Sequence, residues 1–234
     1  MNKARYPDIH DEIKGLADGA GVAVDALLTI NLSDILAGFF ATKASAPKVK
    51  AAKQCTDVHA ITSSFQGWAH NEDEFPQPYY LVYSNITRAA TATAAATPAT
   101  PATPAAATTT TSSEEEVYVG FAYAGVVVGW AWGFNAHVGQ SINAIPIDAN
   151  ATTMGVSINY VGRDALRATT VQDAIARTSV ANQATAAHFN FGSYAAPSLH
   201  ASVETAPSNA SGPSAWAPVS TRWINASTVD ANMR

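Results

Sequence analysis

The sequence has little charge and almost no cysteine. Only 13% of its 234 residues are charged, well under the roughly one quarter that is usual, and the net charge of −5 comes without any basic block. We therefore expect no nucleic-acid partner. The single cysteine, Cys55, cannot form a disulfide within its own chain, so it either packs as a small hydrophobe or matters for its reactivity.

Signals for export and for membrane insertion are also lacking. Residues 1–14 are polar and have no apolar core of a secretory signal, which favours an intracellular protein and leaves the compartment unknown. Residues 117–136 are uncharged and about as long as a bilayer span. Because glycines interrupt these β-branched and aromatic residues, the pattern predicts two buried strands with a turn, and no membrane span.

Residues 1–54 predict a helical segment. Residues 7–19 begin with a proline and place apolar residues at helical spacing, and residues 24–40 carry a second apolar face. Residues 41–54 are polar and rich in lysine, which predicts an exposed loop that leads directly to Cys55.

Residues 55–234 predict a strand-rich core. Residues 89–113 interrupt it with a tract of Ala, Thr and Pro that has no large side chain to bury, and we expect a disordered insertion between two strands of one sheet. The other expected elements are a helix at 164–185 with Thr170 as a cap, and strands at 55–73, 79–85, 117–136, 138–147, 154–162 and 189–203. This order of elements indicates an α+β layered domain.

Two routes could activate the thiol of Cys55. A histidine base is one route, but no histidine lies in a telling motif, and we expect that His59, His70 and His137 are not the base. The other route is cleavage between Gln54 and Cys55, after which the freed α-amino group acts as the base. Neither route requires a cofactor, and we expect no cofactor and no metal.

Polar residues near strand ends are the further candidates for the site. Asp73 and Asn71 close a strand that runs antiparallel to the strand of Cys55, and residue propensity alone favours a surface turn there. Asn135 and Asn143 follow apolar stretches and either donate to an oxyanion or cap a strand. Glu204 is a lone acidic residue after a strand, and the sequence is equally consistent with a site residue and with a surface residue.

Four segments, in this order, resemble the acyl-coenzyme A:6-aminopenicillanic acid acyltransferase-like family, peptidase family C45 of the N-terminal nucleophile (Ntn) hydrolases. Residues 6–30 are similar to the helical pair of its propeptide part. Cys55-Thr56, with the later Gly67 and Asn71-Glu72-Asp73, resembles its nucleophile strand and returning strand. Residues 125–146 and 189–207 resemble its glycine- and asparagine-bearing core segments.

The resemblance implies a four-layer αββα sandwich and autocatalytic cleavage before Cys55, with the two fragments held as a heterodimer. It implies action on a small-molecule acyl amide or acyl thioester, by hydrolysis or acyl transfer. The implied catalytic residues are Cys55, Asp73, Asn143 and Asn135. The implied substrate-binding residues are Asn71, Glu72 and Glu204.

The chain also departs from the family. Gln54 stands where most members have glycine before the nucleophile, and the family's leading strands and C-terminal elements have no counterpart, so we expect an incomplete sandwich. Two alternatives follow. The first is a catalytically inactive, truncated relative that serves as a binding or vestigial protein, and the second is a thiol hydrolase that pairs Cys55 with a histidine.

Overall fold

The computed structural model describes residues 1–36, 55–73, 78–88, 114–145, 154–207, 219–224 and 231–232. The predicted loop at 41–54 and the predicted insertion at 89–113 therefore lie outside the described residues. The helices are α1 (Asn2–Arg5), α2 (Pro7–Ala20), α3 (Val24–Asn31), α4 (Ile158–Ala165) and α5 (Val171–Thr178). The strands are β1 (Thr56–Ile61), β2 (Gln66–Asn71), β3 (Tyr79–Arg88), β4 (Glu114–Tyr123), β5 (Trp132–Asn135), β6 (Val138–Ala144), β7 (Ala187–Ser193), β8 (His200–Thr205), β9 (Val219–Ile224) and β10 (Ala231–Asn232).

The N-terminal helices follow the sequence pattern closely. A proline begins α2, and Ile9, Ile13 and Ala17 recur on its buried side. The helix ends at Gly21, whose φ of 65° lies in the left-handed region that glycine adopts freely. Helix α3 is followed by helical backbone at 33–36, so the part of the predicted second helix that is described is helical.

Within the described residues, ten strands form two antiparallel sheets. The small sheet has the order β10-β1-β2, and the large sheet runs in chain order from β3 to β9. Arg88 at the end of β3 pairs with Glu114 at the start of β4. Residues 89–113 therefore connect two neighbouring strand ends, as the sequence predicts for an insertion within one sheet. Residues 117–136 contribute to β4 and β5 and to the turn between them, as predicted.

The predicted strand at 154–162 is wrong. Helix α4 begins there after Ser157, whose hydroxyl accepts a hydrogen bond from the backbone N–H of Asn159. All eight residues of α4 are buried, although its polar and apolar residues fall on different sides of the helix. The short segment also contains β-branched and aromatic residues, which are typical of a strand. The cap predicted at Thr170 is confirmed, because its side chain accepts from the backbone N–H of Asp173 at the start of α5.

Strands β6 and β7 of the large sheet are covered on both faces. In β6, Val138 and Ile142 belong to the hydrophobic core on the helical side, where α5 contacts β7 and β8. The alternate residues Ser141 and Asn143 face the small sheet, since successive side chains of a strand point to opposite faces. The described residues thus form an α+β arrangement of three layers: helices, large sheet and small sheet. The four-layer sandwich stays a prediction.

Candidate active site

The hairpin of β1 and β2 brings polar side chains together on one face of the small sheet. Asp57 pairs with His70, and Thr56 pairs with Asn71. Because side chains alternate along a strand, Cys55 and Asp57 share a face with His70 and Glu72, and this face meets the large sheet. The two-residue period of each strand and the register of the hairpin together place these four residues side by side. We call Cys55, Asp57, His70 and Glu72 the thiol cluster.

A continuous chain of polar contacts runs through the thiol cluster. The Cys55 thiol donates to Glu72 Oε1 at 3.3 Å. The other carboxylate oxygen of Glu72 lies 3.2 Å from His70 Nε2, and His70 Nδ1 lies 3.2 Å from Asp57 Oδ1. Each end of the imidazole therefore faces a carboxylate, and one of these carboxylates also holds the thiol.

Asp57 is anchored by the large sheet. Its side chain is fully buried, and it accepts hydrogen bonds from Ser141 Oγ at 2.6 Å and from Asn190 Nδ2 at 2.9 Å. Asn143 also hydrogen-bonds to it. Burial alone would raise the pKa of Asp57, but these bonds and the bond and charge of His70 lower it. Asp57 is therefore a buried, ionised carboxylate with a fixed position.

His70 is held in its charged form. Burial alone would lower its pKa, but hydrogen bonds with Asp57, Cys55 and Glu72, together with the charge of Asp57, raise the pKa from 6.5 to about 11. An imidazolium has no free lone pair, so His70 cannot accept a proton at neutral pH. Its positive charge can instead stabilise a negative charge on the neighbouring sulfur.

Glu72 is ionised as well. Burial would raise its pKa, but hydrogen bonds with His70, Tyr123 and Cys55 and the charge of His70 outweigh burial and lower it. The thiol cluster therefore contains two carboxylates and one imidazolium, which leaves one net negative charge while the thiol is neutral.

A cavity of about 400 Å³ adjoins the thiol cluster at His70. Aromatic side chains dominate its walls, and His70 adds a polar group. The aromatic residues are Trp68, Trp132, Phe134 and Tyr194. Cavities of this size, with apolar walls and a few polar groups, are typical of sites for small molecules.

Two glycines allow Trp68 to close the cavity against the large sheet. A Cβ atom at Gly139 would lie 2.6 Å from Trp68 Cη2, and a Cβ at Gly192 would also clash with this ring. Trp68 further stacks on His59, with ring centroids 6.0 Å apart. The absence of side chains at Gly139 and Gly192 therefore shapes the wall.

A second polar group lies between the two sheets. His59 Nδ1 is 3.0 Å from His200 Nδ1, and His59 Nε2 is 3.2 Å from Asn190 Oδ1. Both histidines are buried. Burial, followed by the charge of His59, lowers the pKa of His200 from 6.5 to about 4. Because Asn190 also donates to Asp57, this histidine pair is connected to the thiol cluster.

The structure places Asp73 away from the thiol, which corrects the expected neighbourhood. Asn71 donates to Asp73 Oδ1 at 2.7 Å, and this exposed pair lies on the opposite face of β2 from His70. The reason is the two-residue period of the strand, which turns Glu72 rather than Asp73 toward Cys55. The carboxylate that accepts the hydrogen bond of the Cys55 thiol is therefore that of Glu72.

The structure gives Asn135 a turn role instead of an oxyanion role. Its Nδ2 donates to the carbonyl oxygens of Leu166 and Ala168, each at 2.8 Å. Its Oδ1 accepts from the backbone N–H groups of His137 and Val138. Both amide hydrogens are thus used by the backbone, which leaves none for a substrate oxygen.

Asn143 and Glu204 lie on the face of the large sheet that meets the small sheet. Asn143 reaches Asp57, as described above, and is thereby connected to the thiol cluster. Glu204 lies on β8 opposite His188 on β7 and Ser220 on β9. Of the sequence-predicted residues, the structure brings together Cys55, Glu72 and Asn143.

Sequence reasoning missed Asp57, Ser141 and Asn190. Asp57 carried a signal, because it follows Cys55 at a spacing of two on a predicted strand and so shares its face. Ser141 and Asn190 carried none, since only the packing of the two sheets brings them to Asp57.

No protein-family model matches the chain, and a search of curated proteins gives no match. Among the described residues, no helix is both long and apolar enough to cross a membrane.

Proposed function

We propose that this chain is a self-processing N-terminal-cysteine amidohydrolase or acyltransferase, which acts on a linear amide or thioester acyl bond. One observation carries the proposal: the only cysteine lies at the start of β1, within a cluster of ionised groups beside a cavity large enough for a small acyl compound. The resemblance to the family C45 segments supports the same reaction class.

The charges around Cys55 favour a nucleophile that carries its own amine. The thiol cluster has one excess negative charge, so loss of the thiol proton would leave two. A freed α-amino group at Cys55 acts as the local base when it takes the thiol proton, and the α-ammonium that results offsets the negative charge and acts as the local acid. Glu72 already accepts a hydrogen bond from the Cys55 thiol, so it takes the role of the catalytic carboxylate that the resemblance assigns to Asp73.

The proposed processing step breaks one peptide bond. The Cys55 sulfur attacks the carbonyl carbon of Gln54, and the C–N bond to Cys55 breaks as its nitrogen takes up the thiol proton. Water then hydrolyses the resulting thioester, which releases the carboxylate of Gln54 and regenerates the thiol. The product is a chain that begins at Cys55 with a free amine.

The same sulfur then attacks the substrate. The acyl group of the substrate forms a thioester with the Cys55 sulfur, the bond to the leaving amine or thiol breaks, and the leaving group takes up the proton from the Cys55 thiol. Water completes hydrolysis, and a second amine completes transfer. His70 supplies a positive charge near the sulfur, and Asn143 is the remaining candidate donor for the oxyanion. The aromatic walls of the cavity favour an apolar acyl group.

A trapping experiment tests this function. Purified protein is incubated with arylacetyl and medium-chain acyl thioesters, and its intact mass is measured at short times. We expect one acyl adduct on the fragment that contains Cys55, and none in Cys55→Ala. Asp73→Asn is the matched control for Glu72→Gln, which we expect to slow acylation. Adducts of equal yield in Cys55→Ala would contradict the proposal.

A thiol hydrolase that uses Cys55 and His70 is the second candidate. It is favoured by the hydrogen bond between these two side chains and by Asp57, which orients the imidazole. This candidate predicts an intact chain that is active and that loses about 10²- to 10⁴-fold in rate on His70→Ala. An intact chain that never acylates supports instead the inactive relative that serves as a binding protein.

A further inference from the structure

Three side chains with good ligands for a transition metal converge at the open end of the β1–β2 hairpin. They are the thiol of Cys55, the imidazole of His70 and the carboxylate of Glu72, and their ligand atoms all lie within 4.8 Å of one another. All three residues are partly buried, and the side chains of His70 and Glu72 are only 6% and 16% exposed. Thiolate and imidazole are ligands that favour zinc over magnesium or calcium.

The spacing of these atoms fits a tetrahedral ion. Bond lengths of about 2.3 Å to sulfur and 2.0–2.2 Å to nitrogen and oxygen imply ligand-to-ligand separations of roughly 3.3–3.6 Å. Two ligand pairs are near this separation, each through a different oxygen of Glu72: Cys55 Sγ lies 3.3 Å from Oε1, and His70 Nε2 lies 3.2 Å from Oε2. The ligand atoms of all three residues lie within 4.8 Å of one another, so rotation of the side chains must direct them toward one centre.

The surroundings of His70 are those of a metal ligand. Ligating histidines commonly donate their second ring N–H to a carboxylate, which fixes the ring and its tautomer. His70 Nδ1 faces Asp57, and Asp57 is itself fixed by Ser141 and Asn190. This arrangement leaves Nε2 directed toward Cys55 and Glu72, where the ion would lie.

The geometry points to a binding site for one Zn²⁺ ion, formed by Cys55, His70 and Glu72, with Asp57 as the outer partner of the histidine. Three protein ligands leave a fourth position for water or an anion. Binding releases the thiol proton and the Nε2 proton of the His70 imidazolium to solvent, and the ion then occupies a sulfur lone pair. Zinc therefore blocks Cys55 as a nucleophile in a reversible way.

Cobalt and zinc titrations of the tag-free chain test the site. Co²⁺ bound by a thiolate gives a sulfur-to-cobalt charge-transfer absorption, which reports the Cys55 ligand directly. We expect one Co²⁺ per chain, displaced by one Zn²⁺ as counted by native mass spectrometry. Cys55→Ser should lose the absorption, and His70→Ala should weaken binding by more than the roughly 10- to 100-fold typical of an outer partner.

The chain offers a matched control for these variants. His137 is exposed and outside the thiol cluster, so His137→Ala should bind both ions as the wild type does. Circular dichroism checks the fold of each variant. The site would be refuted by binding of less than one ion per chain, by a charge-transfer absorption that survives in His70→Ala at wild-type affinity, or by an equal loss in His137→Ala.

A measurement on the wild type alone avoids any effect of mutation on folding. Because Cys55 is the only thiol, its alkylation by iodoacetamide is read from a single mass shift. One equivalent of Zn²⁺ should slow alkylation at least 10-fold, and Mg²⁺ should not. Unchanged alkylation with Zn²⁺ overturns the site. The result is independent of self-processing, since protection in an uncut chain supports the metal site while it contradicts the proposed function.

Discussion

Asp57 and His70 lie directly opposite each other on β1 and β2, with Asp57 Oδ1 3.2 Å from His70 Nδ1. Both side chains are almost fully buried, at 0% and 6% exposure. The pair determines the charge of His70 and connects the thiol cluster to Ser141 on the large sheet. The charge of the site therefore depends on how the two sheets pack together.

Asp57→Asn tests this relationship. Without the carboxylate, the imidazolium of His70 loses its main partner, so its pKa should fall toward 6.5 and the free energy of unfolding should drop by about 3 kcal/mol. Urea unfolding and an NMR titration of His70 measure the two effects. Asp73→Asn changes the same residue type in an exposed pair and should cost less than about 0.5 kcal/mol. Equal losses in the two variants would rule out the special role of Asp57.

The buried pair of His59 and His200 predicts a pH dependence of stability. The pKa of His200 is lowered from 6.5 to about 4, so between these values the unfolded chain binds a proton that the folded chain does not. Stability should therefore fall as the pH drops from 6.5 to 4. Urea unfolding at pH 7 and pH 4.5 measures the effect. Between these pH values, the free energy of unfolding should fall by about 2 kcal/mol more in the wild type than in His200→Gln. A matching loss in both would assign the effect to other groups.

Arg163 connects the N-terminal helices to the core. Its fully buried guanidinium forms an ion pair with Glu12 of α2 at 3.0 Å and with Glu116 of β4 at 2.5 Å. Arg163→Met removes the cation that pairs with Glu12, while Glu116 keeps its ion pair with Arg167, and we expect a loss of about 3 kcal/mol in unfolding free energy. The exposed pair of Lys14 and Asp11 is the control, and Lys14→Met should change stability by less than about 0.5 kcal/mol.

The tract 89–113 should be dispensable for folding. Arg88 pairs with Glu114, so a short Gly-Asn turn can join β3 to β4 directly. Because the tract has no large apolar side chain to bury, it gains too little on ordering to offset its entropy. Deletion should leave the melting temperature within a few degrees, as measured by differential scanning calorimetry. Loss of the cooperative transition would show that the tract belongs to the core.

Much of the fold could be predicted from local pattern. Apolar spacing and a proline predict α2, and glycines among β-branched residues predict β4 and β5, because these signals are contained in the segments themselves. Helix α4 is harder to recognise, because it is short and its β-branched and aromatic residues are also typical of a strand. The presence of Thr170 before an apolar run did predict the cap of α5.

The candidate site was predictable only in part. The lone cysteine and the acidic end of β2 indicate the region, but choosing between Glu72 and Asp73 requires the register of the hairpin. Histidine at position 70 has no motif around it, and its importance follows from Asp57 opposite it. The contacts of Ser141 and Asn190 with Asp57 depend on the packing of one sheet on the other, which no local pattern encodes.

The central claim is that Cys55 frees its own amine, and the intact mass of the purified chain tests it most directly. Wild type should separate under denaturing conditions into residues 1–54 and 55–234, and Cys55→Ala should stay at the full 24.4 kDa. Cys55→Ser should cut more slowly, because an alkoxide forms less readily than a thiolate, and Gln54→Gly should cut faster if backbone strain limits the step. A wild-type chain that stays intact while it hydrolyses an acyl thioester through Cys55 would contradict the account.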